Sequence, residues 1–572
     1  MTAELSTLLA VARGERPAEV VLRGGRLVNV FTGEIDRCDV AVAGGRIAAL
    51  GHPLAGAEVV ELDGRFLAPG LIDAHCHVES SLVVPSELAR VAAAHGVTTL
   101  VADPHEIANC MGIDGVRYMA AEGARGASRL VLQAPSCVPA TELATSGGRL
   151  GAAELRTLRD ERVVWGLAEV MDVFGAAHGR LAVAAKIDLF AGRPVDGHAP
   201  GLAPPLLDAY LAAGITNDHE STRAAEGREK LSRGMALFLR EGSVARDLDA
   251  LLCLITTASE RWCALCTDDR EPADLLAEGS VDHAVRRAIS AGLDPLAALR
   301  LATINPATLL GLHDRGAIAP GRRADFIVFD DLDAPRAHAV YVGGRRVAEG
   351  GRLPPSPPPL AAPGVRATCR IDWARTDLTL PGRAAPMRVI ELSAGIATRA
   401  ATAVPTLEGG HAVADPGRDL AKLVVIERHT GSGRTGRGLV RGLGLRAGAL
   451  ASTVCHDHHN LIAAGCDDRS IATAARAVAA TGGGLAVARG SSVVALLPLP
   501  IAGLMADQPI EAVAAAMARV EAAACDLGTP LPHPFMTLSF LGLEVVPELR
   551  LTDRGLVDVA KQEVVEPYLL QE

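Results

Sequence analysis

Lysine is nearly missing from this chain: 572 residues contain only Lys186, Lys230, Lys422 and Lys561. Aromatic side chains are scarce as well, at 3%. Basic residues do not exceed acidic ones. Lys and Arg total 56 against 67 Asp and Glu, a net charge of -11, which excludes the basic face that nucleic-acid binding requires. No stretch reaches the roughly 18 uninterrupted apolar residues of a membrane span. The opening segment, MTAELSTLLAVARGERPAEV, has early acidic residues and no long apolar run, so it does not read as a secretory leader. Neither a GxGxxG nor a Walker A pattern is present, which removes the usual phosphate-cradling loops. The eleven cysteines hold one CxxC pair, Cys263 and Cys266, and no second pair to complete a zinc knuckle. That pair sits in a long apolar run, which speaks against a redox motif. The set reads as buried free thiols in a reducing compartment, and the chain as cytoplasmic.

What is present suits a large enzyme. Apolar residues make up 49% and charged ones 22%, normal for a globular protein, and the length suits two to four domains. Short β-like runs near residues 18–62 are broken by Gly24-Gly25 and Gly44-Gly45, and similar runs return at 324–329 and 339–344. These pieces predict a small β-domain built from both ends of a long central segment. In that segment, eight apolar runs alternate with amphipathic helical stretches. The runs are Phe66 to His77, Val97 to Asp103, Leu130 to Pro135, Val163 to Val170, Pro194 to His198, Ile215 to His219, Met235 to Arg240 and Cys263 to Asp268. Eight β-then-α units over about 250 residues predict an α/β fold of the (β/α)8 TIM-barrel type. A doubly wound open sheet, the alternative, would show fewer strands and a Gly-rich phosphate loop. The expected layout is 1–65 and 319–352 for the flanking β-domain, 66–318 for the barrel, 353–365 for a Pro-rich linker, and 366–572 for a mixed α/β C-terminal domain.

The strongest chemical signal is Pro69-Gly70-Leu71-Ile72-Asp73-Ala74-His75-Cys76-His77. Residues two apart on a strand point the same way, so His75 and His77 can share one metal at a barrel mouth. Glu169, His198, His219 and Asp268 fall at the ends of later runs. Singly, each reads as a satisfied structural residue. Together they fit the rule that TIM-barrel active residues come from the C-terminal ends of several strands. His75, His77, Glu169, His198, His219 and Asp268 are thus candidate ligands for two divalent ions. His105 and Glu106 follow the second run and are candidate substrate contacts, with a loop-fixing hydrogen bond as the alternative. Arg240 is either a pocket residue or an ion-pair partner. His456, His458 and His459 could approach the site, bind another ion or pack a turn, and packing is the default. The remaining histidines, among them His52, His95 and His283, are left as structural.

His75-x-His77 with His198, His219 and Asp268 resembles the amidohydrolase superfamily. Its binuclear members often bridge their metals with a carboxylated lysine on the fourth strand. Here Lys186 and Lys230 lie in helical stretches, and the fourth run ends in Glu169. With that departure, and with the segments Val101-Ala102-Asp103-Pro104-His105-Glu106, Cys266-Thr267-Asp268-Asp269-Arg270 and His456-Asp457-His458-His459-Asn460, the chain resembles the adenine deaminases over nearly its whole length. The resemblance implies hydrolytic deamination of adenine to hypoxanthine and ammonia, in purine salvage. It implies two Mn2+ or Fe2+ ions, with Zn2+ also compatible, since imidazole and carboxylate serve all three. Glu169 would bridge the ions and Asp268 would shuttle the proton, with Asp269 as fallback if the strand phase is off by one residue. A homo-oligomer is expected, because closed assemblies are common among enzymes. Competing readings are a cyclic-amide hydrolase, which would want the bridging lysine, a mononuclear deaminase, which would want a glutamate shortly after a strand histidine, and a non-catalytic scaffold, which would have lost ligands.

Overall fold

A computed structural model describes residues 3–51, 53–393 and 397–569; His52 lies outside the described residues. Two strand-rich pieces of the sequence meet in one sheet. The strand Phe66–Pro69 pairs with Ala18–Val28 on one side and with Phe326–Phe329 on the other, and Ala339–Val342 and Arg345–Glu349 extend the sheet. The hairpin from Ile35–Ala43 to Arg46–Gly51 turns at Gly44 and Gly45. Both hold positive φ, 58° and 71°, the geometry a tight two-residue hairpin turn demands.

The central segment carries eight strands that pair in parallel and in sequence order. They are β1 (Leu71–Cys76), β2 (Val97–Ala102), β3 (Arg129–Leu132), β4 (Leu167–Val170), β5 (Val195–Gly197), β6 (Asn217–Asp218), β7 (Ala236–Arg240) and β8 (Cys263–Cys266). β1 pairs with β2 and β2 with β3. Ala134 bridges to Leu167 of β4, and β4 pairs with β5. The Thr216 N–H donates to Val195 O at 3.0 Å, linking β5 to the approach of β6. β6, β7 and β8 follow in order. The cycle returns to its start through a parallel bridge between Cys76 and Asp268. Most of these strands are apolar and buried throughout, as expected where helices cover a parallel sheet.

The run from Phe66 to His77 is two strands, not the single one expected. The chain breaks at Gly70, where a Cβ would lie 2.2 Å from the Thr98 hydroxyl. Only glycine allows that approach. Phe66–Pro69 therefore belongs to the flanking sheet, and Leu71–Cys76 begins the parallel set. Between β7 and β8 the helical stretch is short, an α-turn at Leu248–Leu251 followed by a 3-10 turn at Leu252–Leu254.

Past the proline-rich stretch, an eight-stranded sheet spans Met387 to Pro498. It is antiparallel except where Met387–Leu392 pairs with Thr435–Arg441. The helix Asp468–Ala480 buries Ile471, Ala474, Ala475 and Val478 against it, and Asp467 caps that helix by accepting from the Ser470 N–H at 2.7 Å. One apolar cluster is continuous from the parallel strands into this region. Val83 bridges to Ala506, and Arg90 on the helix Pro85–Ala94 donates to Glu511 on the helix Ile510–Asp526 at 2.6 Å.

Candidate metal centre

The C-terminal ends of the eight strands collect the charged groups. β1 delivers His75 and, one turn on, His77; their Nε2 atoms stand 3.2 Å apart. β8 ends at Asp268, whose φ of 57° is a left-handed conformation that a short acidic side chain tolerates better than most. This bend swings Asp268 Oδ1 to 3.1 Å from His77 Nε2 and 3.7 Å from His75 Nε2. Glu169, at the end of β4, divides its carboxylate. Oε1 lies 3.6 Å from His77 Nε2, while Oε2 lies 2.8 Å from His198 Nδ1 and 3.4 Å from His219 Nε2. The rings of His75 and His219 stack at 4.0 Å. His75, His77, Glu169, His219 and Asp268 are buried, and His198 is half-buried. Five of these six, all but His75, line a cavity of about 750 Å3 together with His105, Glu106 and Arg240.

The arrangement suits divalent cations. Three overlapping triplets drawn from these residues, one with His77 at its corner, one with Asp268 and one with His198, each place their donor atoms within 4.8 Å of one another. Four imidazoles and two carboxylates form an N,O donor set of the kind manganese, iron and zinc accept. Glu169 faces two histidine groups with two different oxygens, as a ligand shared by two ions would.

Electrostatics set the acids apart. Burial pushes Glu169 up, but His198 and His219 outweigh it and hold the carboxyl well below the usual range. Burial likewise opposes Asp268, where His77 and Arg240 win and keep it ionised. Burial and the neighbouring His219 drive His75 well down, which keeps the imidazole neutral. Burial opposes His77, His198 and His219, but nearby carboxylates raise them instead, so binding an ion there would release protons.

A supporting layer fixes these groups. Arg240 donates to Asp268 Oδ2 at 2.8 Å, to Glu220, and to Asp247 at 2.9 and 3.0 Å. It is a buried hub with three carboxylate partners and also lines the cavity, so both expected roles describe it. Lys230, fully buried, donates to Asp218 at 2.8 Å, Glu226 at 2.9 Å and Ala199 O at 2.7 Å. Asp218 in turn accepts from the Ala199 N–H at 2.9 Å. The loops that carry His198 and His219 are thereby tied together. Asp73 accepts from the Thr267 N–H and hydroxyl at 3.0 and 2.6 Å, joining β1 to β8. Burial pushes its carboxyl up to about 6.

His105 and Glu106 both reach the cavity, but their surroundings differ. His105 Nδ1 meets Asp103 Oδ2 at 3.0 Å, and its Nε2 faces Asp457 at 3.7 Å. Both oxygens of Glu106 are occupied by C-terminal imidazoles, Oε1 by His456 and Oε2 by His459. Asp269 accepts from Ser80 and lies beside Asp268. Sequence reasoning did not single out Glu220, Lys230 or Asp457. Only their proximity to ligand histidines, or to the histidine cluster at 456–459, could have flagged them.

Comparison with known proteins agrees with this geometry. Residues 66–348 match the amidohydrolase family and residues 395–563 the adenine deaminase C-terminal domain. An adenine deaminase of Desulfatibacillum aliphaticivorans is 46% identical, covering 96% of this chain and 97% of its own length. One from Methanothrix thermoacetophila is 44% identical over 97% of this chain and 98% of its own. One from Methylobacterium nodulans is 44% identical over 99% and 100%. At that identity over nearly its whole length, the chain belongs to the adenine deaminase family.

Proposed function

We propose that this protein hydrolyses adenine to hypoxanthine and ammonia, using the cavity at the strand ends. One observation carries the reading: His75, His77, His198, His219 and Asp268 gather around Glu169, a carboxylate that offers a different oxygen to each side. The cycle of parallel strands is read as a (β/α)8 barrel over 66–318. The flanking β-domain takes 1–65 and 319–352, 353–365 is a linker, and 366–572 is the C-terminal domain. His75, His77, Glu169, His198, His219 and Asp268 would hold two divalent ions, Mn2+ or Fe2+ foremost and Zn2+ as a substitute. Such ions lower the pKa of bound water from 15.7 towards about 7 and so supply a nucleophile at neutral pH.

The chain's own residues do the rest. Asp268 accepts a proton from the attacking water through Oδ1, because Arg240 occupies Oδ2. As the water oxygen bonds to C6, that proton passes to the ring nitrogen N1, and the proton left on the new C6 hydroxyl passes to the departing amino group. The C6–N bond breaks, ammonia leaves, and hypoxanthine keeps the oxygen. His105 contacts the ring from the β2 side, and Glu106 lines the same wall. Among the described residues no helix is long and apolar enough to cross a membrane. We place the enzyme in the cytoplasm as a homo-oligomer without a nucleic-acid partner.

The test is Asp268→Asn, a substitution the left-handed backbone tolerates. It should retain metal and lose kcat by about 10^2- to 10^4-fold for ammonia release from adenine, with adenosine, cytosine and the ring opening of cyclic amides assayed beside it. Near-normal turnover would remove Asp268 from proton transfer. Ring opening of a cyclic amide, or ammonia release from adenosine or cytosine, in preference to turnover of adenine would overturn the substrate.

A further inference from the structure

Beside the six-donor cluster lies a second buried set: Glu106 with His456 and His459. Its donor atoms also lie within 4.8 Å of one another, which invites a third cation. The proton positions exclude that role for His459. The Cys455 N–H donates to His459 Nδ1 at 3.1 Å, so Nδ1 carries the lone pair and Nε2 the hydrogen, which it donates to Glu106 Oε2. A nitrogen holding a proton is not a metal ligand. Glu106 is instead an anchor, and its other oxygen accepts from His456 Nδ1.

That anchor leaves one ring atom over. His456 Nε2 is buried and has no hydrogen-bond partner among the described residues. A buried polar atom left so is destabilising, and such exceptions call for an explanation. The His456 ring lines the 750 Å3 cavity alongside Asp268, Asp269 and Asp457, and it stacks on Phe540 at 4.8 Å and 17°. Burial pushes the imidazole down, but Glu106 and then Asp269 push it up to about 9. Nε2 then carries a hydrogen and acts as a donor.

We infer that His456, contributed by the C-terminal region, binds the purine through an Nε2–H donated to an acceptor nitrogen of the ring, with Glu106 as its positioning residue. This rests on the adenine reading above and adds a substrate contact from outside the parallel strands.

Two substitutions separate the atoms involved. His456→Asn keeps an amide nitrogen near Nδ1 for Glu106 and removes Nε2; His456→Gln places an amide nitrogen near Nε2. Thermal unfolding and metal content check that each folds and loads like wild type. For the Asn variant, KM for adenine should rise about 10- to 100-fold with kcat within about threefold. The Gln variant should recover part of that loss. Inhibition by 3-deazaadenine and 7-deazaadenine, each lacking one acceptor nitrogen, supplies the second readout. Wild type should bind one of them more weakly than the other, and the Asn variant should not distinguish them. Unchanged KM with unchanged analogue preference in the Asn variant overturns the inference and leaves the adenine reading standing. Equal losses of kcat in both variants with KM unmoved overturn it in favour of a structural role. Absence of wild-type turnover on adenine would sink both readings.

Discussion

Two buried clusters of this protein use the same residue types to opposite ends. Around Glu169, imidazole nitrogens point at one another and at shared carboxylate oxygens, with His75 and His77 only 3.2 Å apart. Around Glu106, each imidazole faces its own oxygen, and a backbone N–H has already fixed the tautomer of His459. The first arrangement gathers lone pairs and asks for cations; the second is closed by hydrogens. Composition cannot tell a metal centre from an ion-paired anchor, but the direction of each hydrogen bond can. A third buried carboxylate completes the contrast. Among the described residues Glu544 meets no imidazole or cation; it accepts from the Thr141 hydroxyl at 2.9 Å. Burial, with Asp457 nearby, pushes it up to about 8.

Metal removal should separate the first two clusters most sharply. Chelation should lower ammonia release by about three orders of magnitude or more, with Mn2+ restoring it. By elemental analysis, Glu169→Gln should lose bound metal and Glu106→Gln should keep its full complement. Equal metal loss in both variants would erase the distinction. Next in size is the frame behind the first cluster. Lys230→Met leaves Asp218 buried without its cation, which should cost about 3–5 kcal/mol in denaturant unfolding; a loss below about 1 kcal/mol would mean that water reaches Asp218. The smallest effect concerns Glu544. Unfolded, its carboxyl titrates near 4.5; folded, near 8. Across that window the unfolded chain releases the proton and the folded one keeps it, so stability falls as pH rises from about 5 to 8. Glu544→Gln should remove this slope, gaining on wild type by a few kcal/mol at most at pH 8.5 and matching it near pH 5. Parallel stability–pH curves for the two proteins would refute the raised value.

Much of the candidate site was legible because strand geometry exposes it. His75-x-His77 states its own orientation through the two-residue period, and Glu169, His198, His219 and Asp268 each close an apolar run. Substituting Glu169 for the expected lysine was legible too, since the chain has so few lysines to offer. The alternation of apolar runs and helical stretches indicated the eight strands, but not the break at Gly70, which depends on how closely Thr98 approaches. The roles of Lys230, Glu220 and Asp457 were hidden because each acts across a fold contact and sits in no periodic pattern. The histidines at 456 and 459 were visible as residues and opaque as chemistry. Their partner lies some 350 positions earlier, and only coordinates show which nitrogen meets which oxygen.

That separation has a consequence for how the molecule is made. Glu106 emerges from the ribosome early, yet the imidazoles that neutralise it are translated near the end. Until they arrive, Glu106 lacks the two imidazoles that hold its oxygens and has only His105 beside it, at 3.6 Å, and a poorly paired ion resists being enclosed. A product ending before His456 would thus lack both partners of Glu106 and part of the pocket wall.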